Sequence, residues 1–127
     1  IAQKALKEAR YHLRHSSTWV VRLGDGTEES HRRMQAAVDR MWRYTGEMFI
    51  GDHVEAAVAE TGIGVDPISL RPAWDRTVAD VLSEAGLQRP DDDYVRTGGR
   101  VGFHGEHLGH LLAEMQWMER TYPGLRW

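Results

Sequence analysis

From Ala2 to Leu23, small and apolar side chains recur at alternating three- and four-residue steps. Ala2, Ala5, Ala9, His12, Ser16, Trp19 and Leu23 form one stripe, and Leu6, Leu13 and Val20 widen it. That spacing follows the helical period and predicts a long amphipathic helix over 1–23. Gly24-Asp25-Gly26-Thr27 breaks it; Thr27 is a good N-cap, and Glu28-Glu29 suits the positive end of a second helix dipole. The second helix, predicted over 28–50, carries His31, Met34, Val38, Met41, Thr45 and Met48 on one face, flanked by Ala37, Tyr44 and Phe49. Two long helices joined by so short a loop should pack antiparallel.

Residues 52–127 read as shorter helices and loops. A helix is expected from Asp52 to Glu60, a loop over Gly62 to Pro67, and another helix starting near Arg71-Pro72 that buries Trp74, Val78, Val81, Leu82 and Leu87. Gln88 to Phe103, with Pro90, Asp91-Asp92-Asp93 and Gly98-Gly99, reads as an irregular excursion. A last helix from about His104 to Arg120 aligns Leu108, Leu111, Met115 and Met118 before Pro123 and Gly124 end it. No stretch alternates with period two over more than a few residues, so the class is all-α.

At 127 residues and 41% apolar composition, the chain has material for one domain and little room for two. A formal charge of −3 offers no general basic surface for nucleic acid or anionic lipid. No cysteine is present, which removes disulfides, thiol nucleophiles and thiolate metal sites; any metal would need His and carboxylate ligands. No apolar run approaches the roughly 20 residues of a membrane span, and the amino-terminal segment mixes Lys, Glu and Arg where a signal peptide would be apolar. A cytoplasmic location is expected. The chain opens at Ile1 within a helical pattern and without Met, so its natural start is expected upstream.

Four features could carry chemistry. Glu8 and His12 lie four residues apart on one helix, and His12 interrupts an apolar stripe, where an unpartnered polar group would cost about 1–3 kcal/mol. Glu28-Glu29-Ser30-His31 contains the Glu-x-x-His spacing of carboxylate-bridged di-iron helix bundles. Height along the hairpin separates the two sets. If Leu23 faces Glu28, Glu8 stands opposite about position 43 and His12 opposite about 39, whereas Glu28 and His31 lie roughly 20 Å away along the bundle. Level with Glu8 and His12 stand Asp39, Trp42, Arg43 and Thr45, and neither an indole nor a cation ligates iron. The expectation is an interhelical polar core in which Glu8 pairs with Arg43 and His12 with Asp39, leaving no catalytic, cofactor or metal site. His104-Gly105-Glu106-His107-Leu108-Gly109-His110 is dense in histidine, but steps of three fan the rings over roughly 120° of helix, a poor geometry for one ion. Arg96-Thr97-Gly98-Gly99-Arg100 could cradle a coenzyme A phosphate, yet it lacks P-loop spacing and follows no strand, so a loop that is solvated or touches another subunit is expected.

Taken together, several segments resemble the structural (PaaC-like) subunit family of phenylacetyl-CoA 1,2-epoxidase. They are Lys4-Ala5-Leu6-Lys7-Glu8-Ala9-Arg10-Tyr11-His12-Leu13-Arg14, Arg22 to Thr27, Gly62-Ile63 through Asp66-Pro67, and Leu70-Arg71-Pro72-Ala73-Trp74. Arg96 to Arg100, His104 to Gly109, Leu112-Ala113-Glu114-Met115-Gln116 and the closing Pro123-Gly124-Leu125-Arg126-Trp127 continue the likeness. It runs from end to end but corresponds to the carboxyl-terminal half of a family chain. The resemblance implies a ferritin-like fold, of which this chain is the carboxyl-terminal part, in a multicomponent monooxygenase of aerobic phenylacetate catabolism. It implies a non-catalytic, structural subunit supporting a homologous catalytic di-iron subunit, which holds the iron and the substrate pocket, with electrons from a separate reductase.

Two long helices cannot close a four-helix bundle, so a large apolar face should be left open. Pairing is expected with the amino-terminal half of the bundle as a separate chain, with another copy, or with the catalytic subunit. Two other readings compete: a metal-binding ferritin-like oxidase, which would retain iron and lose it with Glu8→Ala, and a self-associating helical module.

Overall fold

The computed structural model describes residues 1–124 and Arg126; Leu125 and Trp127 of the closing segment lie outside the described residues. The protein is all-α, with six helices and no strand among the described residues. The chain forms two compact units, residues 1–96 and 97–127.

In the first unit, α1 (Ala2–Gly24) and α2 (Glu28–Trp42) form the expected hairpin. Thr27 caps α2 in a reciprocal box: its hydroxyl accepts from the Ser30 amide at 3.2 Å, and the Ser30 hydroxyl accepts from the Thr27 amide at 2.9 Å. The second helix ends at Trp42, not at 50. Beyond it the chain tightens into three-residue turns, with the Tyr44 amide donating to the Met41 carbonyl and the Thr45 amide and hydroxyl both donating to that of Trp42. A 3₁₀ turn, Gly46–Phe49, follows. Gly46 lets the chain pass Val95, whose Cγ2 would lie 2.6 Å from any Cβ there. The apolar pattern therefore continues past Trp42, but Phe49 reaches the core from a turn.

Asp52 caps α3 (His53–Glu60), accepting from the amides of Val54 and Glu55. The next helix, α4 (Pro67–Glu84), begins a turn before the expected Arg71-Pro72: the Asp66 carboxylate accepts from the Ile68 amide, and Pro67 takes the first position, where no N–H is needed. Pro72 consequently lies inside α4. The carboxyl end of α4 closes as a Schellman motif around Gly86 at φ +66°, with the Leu87 amide donating to the Leu82 carbonyl and that of Gly86 to Ser83. This turn buries Leu82, Ala85 and Leu87 with Trp42, and Val20, Val21, Met34, Val38, Trp74 and Val78 pack against them. Gly24 ends α1 against the same spot: a Cβ there would stand 2.6 Å from the Ala85 carbonyl oxygen.

The second unit holds a 3₁₀ turn (Gly99–Val101), α5 (Glu106–Met115) and α6 (Trp117–Thr121). The single terminal helix expected from about 104 to 120 is thus two, divided at Gln116. Leu111, Leu112, Met115, Trp117 and Met118 are exposed.

Candidate functional site

The polar set at mid-hairpin does not assemble within this chain. His12 Nε2 lies 3.9 Å from Glu8 Oε2 on the same helix, and both side chains are roughly three-quarters exposed. Asp39 accepts a 2.8 Å hydrogen bond from Gln35, and among the described residues no ion pair joins Glu8 to Arg43 or His12 to Asp39. Arg43 is the residue after the last turn of α2, and its carbonyl accepts from the Arg96 amide at 2.8 Å.

Of Glu28, Glu29 and His31, the latter two are engaged within the hairpin. His31 Nδ1 donates to the Gly24 carbonyl across the turn at 2.7 Å, fixing the imidazole as a clasp of the hairpin. Glu29 bonds Arg32 and Arg33, which hold its carboxyl below the usual range. No three His, Asp or Glu side chains converge as a metal set among the described residues, those of His104 to His110 included. The Arg96 to Arg100 segment divides between the two units. In the second, Gly98, at φ +104°, offers its carbonyl to the amides of Val101 and Phe103, and the loop turns around the Phe103 ring.

Two arrangements stand out instead. The first is an apolar groove among α1, α2 and α4, a cavity of about 290 Å³ walled by Leu13, Val20, Val38, Met41, Val78 and Val81. Ser16, Ser17, Thr45 and Thr77 interrupt that wall. It is open and offers no charged group, so it suits apolar side chains from another helix.

The second was not anticipated from the sequence. Trp42, Trp74 and Phe49 pack ring against ring, with centroids 5.7 and 5.2 Å apart. Four charges cover them. Asp92 accepts from the Trp42 indole at 2.8 Å and pairs with Arg71 and Arg89; Asp75 pairs with the same two arginines. The Arg89 guanidinium lies 5.0 Å over the Trp42 ring and that of Arg71 lies 5.5 Å over Phe49. The Trp42 hydrogen bond, aided by both arginines, holds the Asp92 carboxyl below the usual aspartate range. Arg71 and Asp75, four apart on α4, were the available signal, but Asp92 sits in a segment without periodicity. The cluster ties the 88–96 segment to α2 and α4, and every charged group in it is engaged by another, which marks it as a fastening of the fold.

Comparison with known proteins gives these helices a family. The one described as Phenylacetic acid catabolic protein matches residues 1–127, the full chain. The chain belongs to that family. Among members of the phenylacetic acid catabolic family, it is 50% identical over all 127 residues to the C subunit of 1,2-phenylacetyl-CoA epoxidase from Escherichia coli (strain K12). It spans about half the length of that curated relative, 51%. No described helix is long and apolar enough to cross a membrane.

Proposed function

We propose that this chain forms the carboxyl-terminal half of a structural, non-catalytic subunit of a phenylacetyl-CoA ring epoxidase. In this reading the α1–α2 hairpin is one half of a ferritin-like bundle. The apolar groove receives helices from the amino-terminal half of the bundle, and the completed protein supports a homologous di-iron catalytic subunit fed by a reductase. The observation that carries the reading is 50% identity, along the whole chain, to the epoxidase component of Escherichia coli. The groove adds support, because a hairpin packed on only one side needs company to bury Leu13, Val20 and Met41. The engagement of His31 and Glu29 within the hairpin supports placing iron chemistry in the partner and no cofactor in this segment.

Co-expression of the full chain, its amino-terminal half and a homologous di-iron protein tests this. The expected outcome is a complex whose iron follows the catalytic partner and is unchanged by Glu8→Ala. Iron retained by this chain alone, and lost with Glu8→Ala, would establish the metal-binding oxidase instead. A homodimer that ignores the catalytic partner would establish a self-associating module.

A further inference from the structure

The outer face of α1 has a composition that packing within the chain does not use. At 3.6 residues per turn, Lys4, Lys7, Tyr11, Arg14, His15 and Arg22 share an arc of about 100°, opposite the Leu13, Val20 and Gly24 side that meets the rest of the unit. All six are exposed, and the stripe runs about 27 Å along the helix axis. It is organised. The Tyr11 and His15 rings stack at 5.8 Å, and Trp19, where the arc borders the apolar stripe to which it also belongs, meets His15 edge-on at 6.4 Å. The Arg14 guanidinium lies 5.9 Å over Tyr11 and that of Arg22 5.7 Å over Trp19.

Its charge is predominantly positive. The helix has five Lys or Arg and one carboxylate, Glu8, in a chain whose Asp and Glu outnumber its Lys and Arg, 19 to 16. Glu8 is the partner of His12, and among the described residues none of Lys4, Lys7, Arg14 and Arg22 has a carboxylate partner. An ordinary solvent face mixes both signs at i,i+4 spacing, as Glu29 and Arg33 do on α2. Tyrosine, tryptophan and arginine together are the residues concentrated at the energetic centres of protein interfaces, and rings already stacked under arginines lose little freedom on binding.

We propose that this face of α1 is a docking stripe for an acidic protein surface, a carboxylate-rich helix whose apolar side chains lie against Tyr11 and Trp19. The carboxylates complement the unpaired cations, while the rings distinguish a protein from a simple polyanion. The inference stands independently of the epoxidase assignment, since it uses only the stripe.

Fluorescence anisotropy with the full chain tests it, using a labelled helical peptide with glutamates along one face interspersed with leucines, and a control with glutamine for glutamate. Saturable binding of the glutamate peptide is expected, weakening as salt shortens the Debye length. Arg14→Glu with Arg22→Glu should weaken it by at least about tenfold, and Tyr11→Ala with Trp19→Ala by roughly fivefold or more. Because these side chains are exposed, far-UV circular dichroism of both variants should match the parent. Three results would overturn the proposal. They are equal binding of the glutamine control, heparin binding that is indifferent to loss of the two rings, and salt-sensitive self-association without peptide that the arginine reversals abolish. The last would make a second copy of the chain the occupant.

Discussion

The two ends of α1 are built on different terms. At its carboxyl end Gly24 is buried against Ala85, its carbonyl receives His31 Nδ1, and Val20 and Val21 pack on a core closed by the Schellman turn of α4. At its amino end every residue from Ile1 to Ser16 is exposed. One end is held by contacts within the chain, and the other is a continuous helix whose sequence satisfies helix periodicity without a partner to bury its apolar stripe. Burial of an amphipathic face, more than intrinsic propensity, supplies most of a helix's stability in a protein. Stability should therefore be concentrated around Trp42 and Ala85 and fall off toward residue 1.

The strongest way to break that contrast is Trp42→Ala. The indole is 7% exposed, packs on Trp74, lies under Arg89 and donates to Asp92. Removing it leaves a cavity and an unpartnered carboxylate oxygen, so a loss of about 3–5 kcal/mol is expected, which a chain with so small a core would show as near-complete loss of cooperative unfolding by calorimetry. A comparable loss from Leu6→Ala, at the exposed end, would erase the distinction between the two ends.

Next comes Gly24→Ala. Alanine is the better helix former, but its Cβ would meet the Ala85 carbonyl oxygen at 2.6 Å and the Ala85 Cβ at 2.8 Å, and neither is the tip of a flexible side chain. A loss of about 1–3 kcal/mol is expected from denaturant titration. Ala9→Gly, at the other end, should show only helix propensity, about 1 kcal/mol or less.

How much of this was legible in the sequence follows the same division. The α1–α2 hairpin, the Thr27 cap, Asp52 to Glu60 and the all-α class rest on local signals, periodicity and capping chemistry, which act over a few residues. The end of α2 at Trp42 does not, because Thr45, Met48 and Phe49 continue the apolar spacing and only the passage of Gly46 against Val95 diverts the chain. The start of α4 was hidden by a choice between two prolines, Pro67 and Pro72, decided by the Asp66 carboxylate. Asp92 was invisible: its partners Trp42, Arg71 and Arg89 come from three separate stretches, and nothing local in Asp91-Asp92-Asp93 selects the middle residue. The Glu8, His12, Asp39 and Arg43 set depended on the register of two helices, which no local signal in the sequence fixes.

A smaller effect sharpens the contrast through pH. The folded-state pKa of Asp92 is depressed, so its contribution is fully present above the ordinary aspartate range and is lost as the pH falls through the depressed value. Asp92→Asn should cost about 1 kcal/mol at neutral pH, because the carboxylate is partly exposed and screened. The clearer readout is shape: the parent should lose stability toward strongly acidic pH along a limb that the variant lacks. Identical acid limbs would show that the Trp42 indole and the two arginines do not favour the ionised carboxylate.

The smallest effect in the isolated chain tests what the amino end is for. Glu8 and His12 form an exposed pair at 3.9 Å, a geometry that contributes less than about 0.5 kcal/mol, so His12→Ala should leave the melting temperature of this chain almost unchanged. The same substitution should act differently once the proposed amino-terminal half of the bundle and the proposed catalytic partner are present. If those helices cover α1, position 12 lies in a buried stripe, its imidazole takes part in the polar pairing with Asp39 that the free hairpin leaves unmade, and its removal orphans a partner at a cost of about 1–3 kcal/mol. Thermal melts of parent and His12→Ala, alone and in the assembled complex, separate the cases. An effect that appears only on assembly would show that the exposed end of α1 is completed by its partners, and an absence of effect in both would leave His12 a solvent-facing residue throughout.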